Sequence, residues 1–114
     1  MAPLAEDSEL ASITDALTYP EAYVDWKPVP LEWVRDNLEG QTRRSIQLAM
    51  LDHLKNGGTV NRKPETRPEY RNRFEWFFEF KLVIDGQRIY IEATLDESLI
   101  TPLLRIVSLH EDRS

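Results

Sequence analysis

A chain of 114 residues with 41% hydrophobic and 30% charged side chains reads as one globular domain, with enough apolar material for a modest core and too much for disorder. It contains no cysteine, which excludes a disulfide framework and a thiolate metal site; no apolar run approaches the ~20 residues that span a bilayer, and the N-terminus lacks the pattern of a secretory signal, so a soluble, cytoplasmic protein without membrane contact is expected. The net charge of −6 argues against non-specific binding to DNA, yet charge is divided by segment: nine acidic against two basic residues over 1–41, three against eight over 42–74, and eight against four over 75–114. An acidic protein therefore carries one basic island, whose local field attracts anions whatever the net sign.

Residues 1–29 are expected to form an acidic N-terminal helix and an extended connector. Residues 1–5 read as a frayed end. Leu10, Ile13, Ala16 and Leu17 then have helical spacing over 6–17. From Thr18 to Pro30, three prolines with Tyr19, Tyr23 and Trp26 imply an extended stretch lying on the core.

Residues 30–58 read as two helices. Pro30 suits the first turn of one over 31–38, closed by Gly40. Thr42 caps the other, which runs to about residue 55 with a buried stripe of Ile46, Met50 and Leu54 and stops at Gly57–Gly58. His53 lies near that stripe as a packing residue. Residues 59–73 contain Pro64 and Pro68 and no apolar periodicity, so they read as a basic loop.

Residues 74–110 carry the strongest pattern, a β-meander of about three strands. Phe74 to Ile84 has an apolar residue at every second position, alternating with Glu75, Phe77, Glu79, Lys81 and Val83, Asp85–Gly86 is a two-residue hairpin turn, and Ile89 to Leu95 alternates again. Such a turn opposes Leu82 to Ile89, Phe80 to Ile91, Phe78 to Ala93 and Trp76 to Leu95. Every pair is apolar, and a slip of one residue would destroy the match. Residues 103–110 form a third strand with apolar residues on both faces (Leu104 and Ile106; Val107 and Leu109), which suggests a central position or cover on both sides. The expected class is α+β, a single domain (1–114) with N-terminal helices packed on a small antiparallel sheet.

The same register places Lys81 opposite Tyr90, Glu79 opposite Glu92 and, if pairing continues that far, Glu75 opposite Asp96. Facing carboxylates disfavour each other by roughly 0.2–1 kcal/mol. A neighbouring cation (a metal, a substrate amine or a basic side chain of the loop) would relieve them, the pair could split its pKa values and act as an acid and a base, or the face is simply solvated. Arg67, Arg71 and Arg73 can fold back as partners. No histidine lies nearby in sequence, so neither a metal nor another cofactor is expected. His110 ends the last strand, at a sheet rim, where an imidazole suits acid/base work. Arg62, Lys63, Arg67, Arg71 and Arg73 with Tyr70 fall within twelve residues, a set suited to holding phosphate and stacking a base, or to neutralising the chain's own acids.

The stretches Asp85-Gly86-Gln87-Arg88-Ile89-Tyr90-Ile91 and Leu104-Arg105-Ile106-Val107-Ser108-Leu109-His110-Glu111 resemble the last two strands of MqsR-type messenger-RNA interferase toxins, members of the RelE-like ribonuclease superfamily. The resemblance implies helices followed by an antiparallel sheet, metal-free RNA cleavage, and an antitoxin-like partner. It places a catalytic tyrosine at Tyr90 and a last-strand basic residue at His110, where the family has lysine. The run Glu65 to Arg71 is also similar to a Glu-Thr-Arg-Pro-Glu-aromatic-Arg stretch of small uncharacterised bacterial proteins.

Two functions follow as expectations. In the first, the chain is a toxin-like endoribonuclease: Arg62, Lys63, Arg67, Tyr70, Arg71 and Arg73 bind RNA, and His110 with Tyr90 or Glu92 moves the protons. In the second, it is a non-enzymatic protein-binding module.

Overall fold

The computed structural model describes residues 3–19, 23–98 and 100–112. The middle of the proline-rich connector (20–22) and the first two residues of the end expected to fray lie outside them. Among the described residues there are three helices, α1 (Asp7–Thr18), α2 (Pro28–Asn37) and α3 (Arg43–Lys55), and five strands, β1 (Val24–Trp26), β2 (Val60–Pro64), β3 (Trp76–Ile84), β4 (Gln87–Asp96) and β5 (Leu103–Glu111). They form one sheet in the order β1-β5-β4-β3-β2, with β1 parallel to β5 and all other neighbours antiparallel. The class is α+β as expected, with five strands in place of about three.

The two additional strands come from stretches without β-type alternation. β2 occupies the start of the segment read as a loop, and β1 the end of the connector. Each is short and lies at or near a sheet edge, where backbone pairing with an existing strand suffices to hold it. Edge strands are commonly short for this reason. The N-terminal end is likewise not frayed from residue 3 onward. The Arg62 N–H donates to the Pro3 carbonyl (2.8 Å) and the Ala5 N–H to the Val60 carbonyl (2.9 Å), so Pro3 to Ala5 run along the outer edge of β2. α2 begins at Pro28, earlier than expected, because two prolines fit the first turn where no intrahelical N–H bond is required.

The hairpin register holds from Ile84–Gln87 through Phe78–Ala93. Asp85 and Gly86 both have positive φ (54° and 79°), the conformation that matches strand twist in a two-residue turn. Pairing does not continue to Trp76–Leu95 or Glu75–Asp96: Trp76 lies opposite Pro64, and Leu95 opposite Leu104. β5 is an interior strand, between β1 and β4, in line with one of the two expectations, but its two-faced apolar pattern has another cause. The β4–β5 register shifts between Glu92 and Ala93, with Glu92 opposite Ser108 and Ala93 opposite Ile106, so Val107 is an extra residue in a β-bulge. Before the bulge Leu104 and Ile106 face the core; after it, Leu109 does.

The helices cover one face of the sheet. Ile13 and Leu17 of α1, Val34 of α2, and Ile46 and Met50 of α3 are almost fully buried in one cluster with Phe78, Phe80, Ile89, Ile91, Leu104 and Ile106. α1 packs on α3 and β5, α3 on β3, and α2 against β5. The Trp26 indole N–H donates to Gln47 Oε1 (2.8 Å), tying β1 to α3. At the head of α3 the Thr42 hydroxyl accepts from the Ser45 N–H (3.2 Å), while the Thr42 N–H donates to the Ser45 hydroxyl (2.8 Å). No described helix is long and apolar enough to cross a membrane.

Just past α3, where Gly57 (φ 77°) turns the chain out of the helix, the backbone approaches a side chain closely. A Cβ on Gly58 would lie 2.4 Å from the His53 ring, whose Nε2–H donates to the Thr59 carbonyl (2.7 Å). Gly58→Ala therefore displaces His53 and breaks that bond, at an expected cost of about 1–2 kcal/mol in urea unfolding. In a His53→Ala background the same substitution becomes nearly neutral. Equal costs in both backgrounds would contradict the steric account.

Candidate functional site

The sheet face away from the core cluster carries Asn61 and Lys63 of β2, Glu79 and Lys81 of β3, Tyr90, Glu92 and Thr94 of β4, and Ser108 and His110 of β5, as the register requires. His110 stands on this face because of the bulge. Unbroken alternation from Leu104 and Ile106 would put residues 108 and 110 on the core side. With the extra residue, His110 falls opposite Tyr90, and the two rings stack with centroids 5.0 Å apart and 27° between planes.

Tyr90 is the centre of the site. Its hydroxyl lies 2.6 Å from Glu79 Oε2 and 2.6 Å from Glu92 Oε2, bridging the carboxylates that face each other across β3 and β4. The phenol has one hydrogen, so it donates to one carboxylate at a time. Burial, followed by these two hydrogen bonds and the two carboxylate charges, raises the Tyr90 pKa far above its ordinary value. Tyr90 is a neutral donor here, not a base. Glu79 is only 3% exposed. Burial alone would raise its pKa, but hydrogen bonds from Lys63 (Nζ 2.8 Å), Tyr90 and Asn61 (3.1 Å) outweigh burial and leave it below the usual carboxylate range. Glu92 receives Arg67 through Nη2 at 3.0 Å.

The remainder of the basic segment folds back as a cover. Residues 67–74 form tight turns through Tyr70 N–H to Arg67 carbonyl and Phe74 N–H to Tyr70 carbonyl bonds. Glu65 Oε2 accepts from the N–H groups of Thr66 and Arg67. The Arg67 guanidinium also lies over the Phe77 ring at 4.8 Å. Arg73 reaches Asp96 at 3.4 Å, and the Asp96 carboxyl is held below its ordinary pKa chiefly by the Ser98 hydroxyl (2.6 Å) and N–H (3.0 Å). Under this cover Thr94 is fully buried.

The uncovered part of the face is a cleft of about 700 Å³ lined by Trp33, Asn37, Lys63, Glu79, Lys81, Tyr90, His110, Glu111 and Asp112. Nδ1 of His110 is 2.9 Å from the Glu111 carbonyl. A carbonyl only accepts, so Nδ1 carries the proton and Nε2 is the basic nitrogen of the neutral ring.

Of the residues singled out in the sequence, His110, Tyr90 and Lys63 line this cleft, and Glu92 joins it through the Tyr90 hydroxyl. The others are placed elsewhere. Arg62 falls on the core-facing side of β2, opposite Phe78, where it pairs with Glu6 (2.8 Å), the N-cap of α1, and with Glu9 (3.8 Å) in its first turn, and covers the Trp76 ring at 4.1 Å. Arg67 and Arg73 hold the chain's own carboxylates. Tyr70 is buried beside Phe74 and is closed to a stacking base. Arg71 is exposed on the turn, outside the cleft lining.

Lys81 was legible in the hairpin register, opposite Tyr90. Trp33 and Asn37 had no such signal, because they reach the cleft only through the packing of α2 on β5. Among the described residues no group of His, Asp and Glu is arranged to hold a metal ion. Searched against protein-family models, curated proteins and solved structures, the chain matches none.

Two tests follow from this network. Arg67→Ala removes the cation from Glu92 and from Glu65, whose Oε2 lies 3.6 Å from Arg67 Nε, and should cost about 1–3 kcal/mol, whereas Arg71→Ala should change stability by less than about 0.5 kcal/mol; similar losses from both would contradict the assignment. The pH dependence has two limbs. Ionised Glu79 contributes stability that is complete above the ordinary value of 4.5 and is lost as pH falls through its lower folded pKa. Tyr90, with a raised pKa, contributes stability that is complete below 10.0 and declines as pH rises further. Tyr90→Phe should remove the alkaline decline and shrink the acid one, read as urea midpoints across pH. An unchanged alkaline limb would show that Tyr90 does not cause it.

Proposed function

We propose that the chain is a toxin-like RNA-acting domain that binds single-stranded RNA in the Tyr90–His110 cleft and cleaves it without a metal ion. The observation that carries this reading is the stacked Tyr90–His110 pair at a cleft that also holds Lys63 and Lys81. Tyrosine and the last-strand basic residue are the two positions singled out by the resemblance to RelE-like ribonucleases.

Lys63 and Lys81 supply the positive charge for one phosphate. His110, through Nε2, takes the proton of the 2′-hydroxyl as its oxygen attacks the adjacent phosphorus. The P–O5′ bond breaks, the same imidazolium returns the proton to the departing 5′-oxygen, and a 2′,3′-cyclic phosphate remains. Lys63 and Lys81 stabilise the charge that develops on the phosphoryl oxygens. Tyr90 fixes the His110 ring by stacking and holds Glu79 and Glu92 through its hydroxyl, with no proton transfer of its own. The arginines of the covering segment support the fold of the site instead of touching the substrate.

The second reading, a non-enzymatic protein-binding module, is favoured by one observation. Arg62, Lys63, Arg67 and Arg73 all make ion pairs with carboxylates of the chain, which removes much of the basic footprint a polyanion would meet.

Incubation of the purified chain with single-stranded RNA in EDTA separates the two. Cleavage with cyclic-phosphate ends is expected, falling about a hundredfold or more in His110→Ala and surviving in Arg71→Ala. Intact RNA, with no measurable RNA binding at low salt, would overturn the ribonuclease reading and leave the protein-binding one.

A further inference from the structure

The geometry points to a nucleobase subsite on α2, formed by the Trp33 indole with Asn37, which seats one unpaired base next to the phosphate held by Lys63 and Lys81. This inference rests on the RNA-acting reading and adds to it the part of the nucleotide that the cleft selects.

The three tryptophans of the chain have different surroundings. The Trp26 indole N–H is taken by Gln47 at 2.8 Å. Trp76 carries the Arg62 guanidinium 4.1 Å from its ring centroid. Trp33 is half-buried like the other two and packs in part on the core, and it contributes to the wall of the 700 Å³ cleft. Asn37 follows it by one helical turn and lines the same cleft. Its amide Nδ2 donates to the Trp33 carbonyl (3.0 Å), which fixes the side chain and leaves the amide oxygen as an acceptor for an exocyclic amine.

An aromatic plane beside two lysines is the combination that single-stranded nucleic acid uses: the rings stack on the base while the cations hold the backbone. The covering segment is less suited to this, since Tyr70 is buried and the Phe74 ring carries the Arg73 guanidinium 5.1 Å from its centroid. The cleft is also mixed in charge, with Glu79, Glu111 and Asp112 against Lys63 and Lys81, so phosphate attraction alone is weak there. Stacking then provides much of the discrimination between a nucleotide and a bare phosphate ester.

The test compares adenosine 5′-monophosphate with ribose 5-phosphate by calorimetry at low salt, using the full chain, Trp33→Leu and Trp33→Phe. The nucleotide is expected to bind the unaltered chain about tenfold or more tighter than the sugar phosphate. In Trp33→Leu the two affinities should converge to within about twofold with ribose 5-phosphate unchanged, and Trp33→Phe should restore most of the advantage. Equal affinities in the unaltered chain, or an advantage that survives in Trp33→Leu, would overturn the subsite while leaving the phosphate site intact. Failure of both compounds to bind would overturn the RNA-acting reading itself, and the subsite with it.

Discussion

The two glutamates that face each other across the central hairpin impose the constraint on which the rest of the polar face depends. Once Asp85–Gly86 fixes the register, Glu79 and Glu92 are adjacent whatever else the chain does. Their mutual repulsion, roughly 0.2–1 kcal/mol, is the smaller difficulty. The larger is that Glu79 is almost completely removed from water, which for an ionised carboxylate costs several kcal/mol unless it is paired and hydrogen-bonded. Lys63 from β2, Asn61 on the same strand and Tyr90 from β4 answer that demand, while Arg67 from the returning segment pairs with Glu92. β2 and the fold-back of residues 65–75 thus carry the donors and cations that this register requires.

This arrangement reshapes the meaning of the basic island. Read as a run of residues, 62–73 looks like one phosphate-binding surface. Folded, it is divided by the sheet: Arg62 goes to the helical side to meet α1, Lys63 to the polar side, and the arginines beyond Pro64 to the cover. Alternation along β2 is responsible, since neighbours in a strand point to opposite faces. The cations left at the cleft, Lys63 and Lys81, come from different strands, and no linear pattern would have joined them.

What was legible in the sequence follows from where the information is local. The hairpin, its register as far as Phe78–Ala93, the helical stripes of α1 and α3, the Thr42 cap and the facing glutamates each depend on residues close in the chain, and each is present in the fold. β1 and β2 were not legible because an edge or near-edge strand draws its stability from a partner's backbone, leaving little demand on its own side chains. The Pro3–Ala5 pairing with β2 joins segments more than fifty residues apart with no side-chain signature at all. The site was half legible for the same reason: Tyr90, Glu92 and His110 lie on the strongly patterned strands, and Trp33 lies on a helix whose position depends on tertiary packing.

The bulge at Val107 acts as a change of phase. A strand is a two-state code in which odd and even positions report to opposite faces, and one inserted residue inverts the code for everything downstream. Here the inversion delivers a histidine to the tyrosine side while Leu109 replaces it in the core. Lineages carrying this sheet could therefore gain or lose the aromatic pair by a single-codon insertion or deletion, with no change in the chemical identity of any residue in the pair.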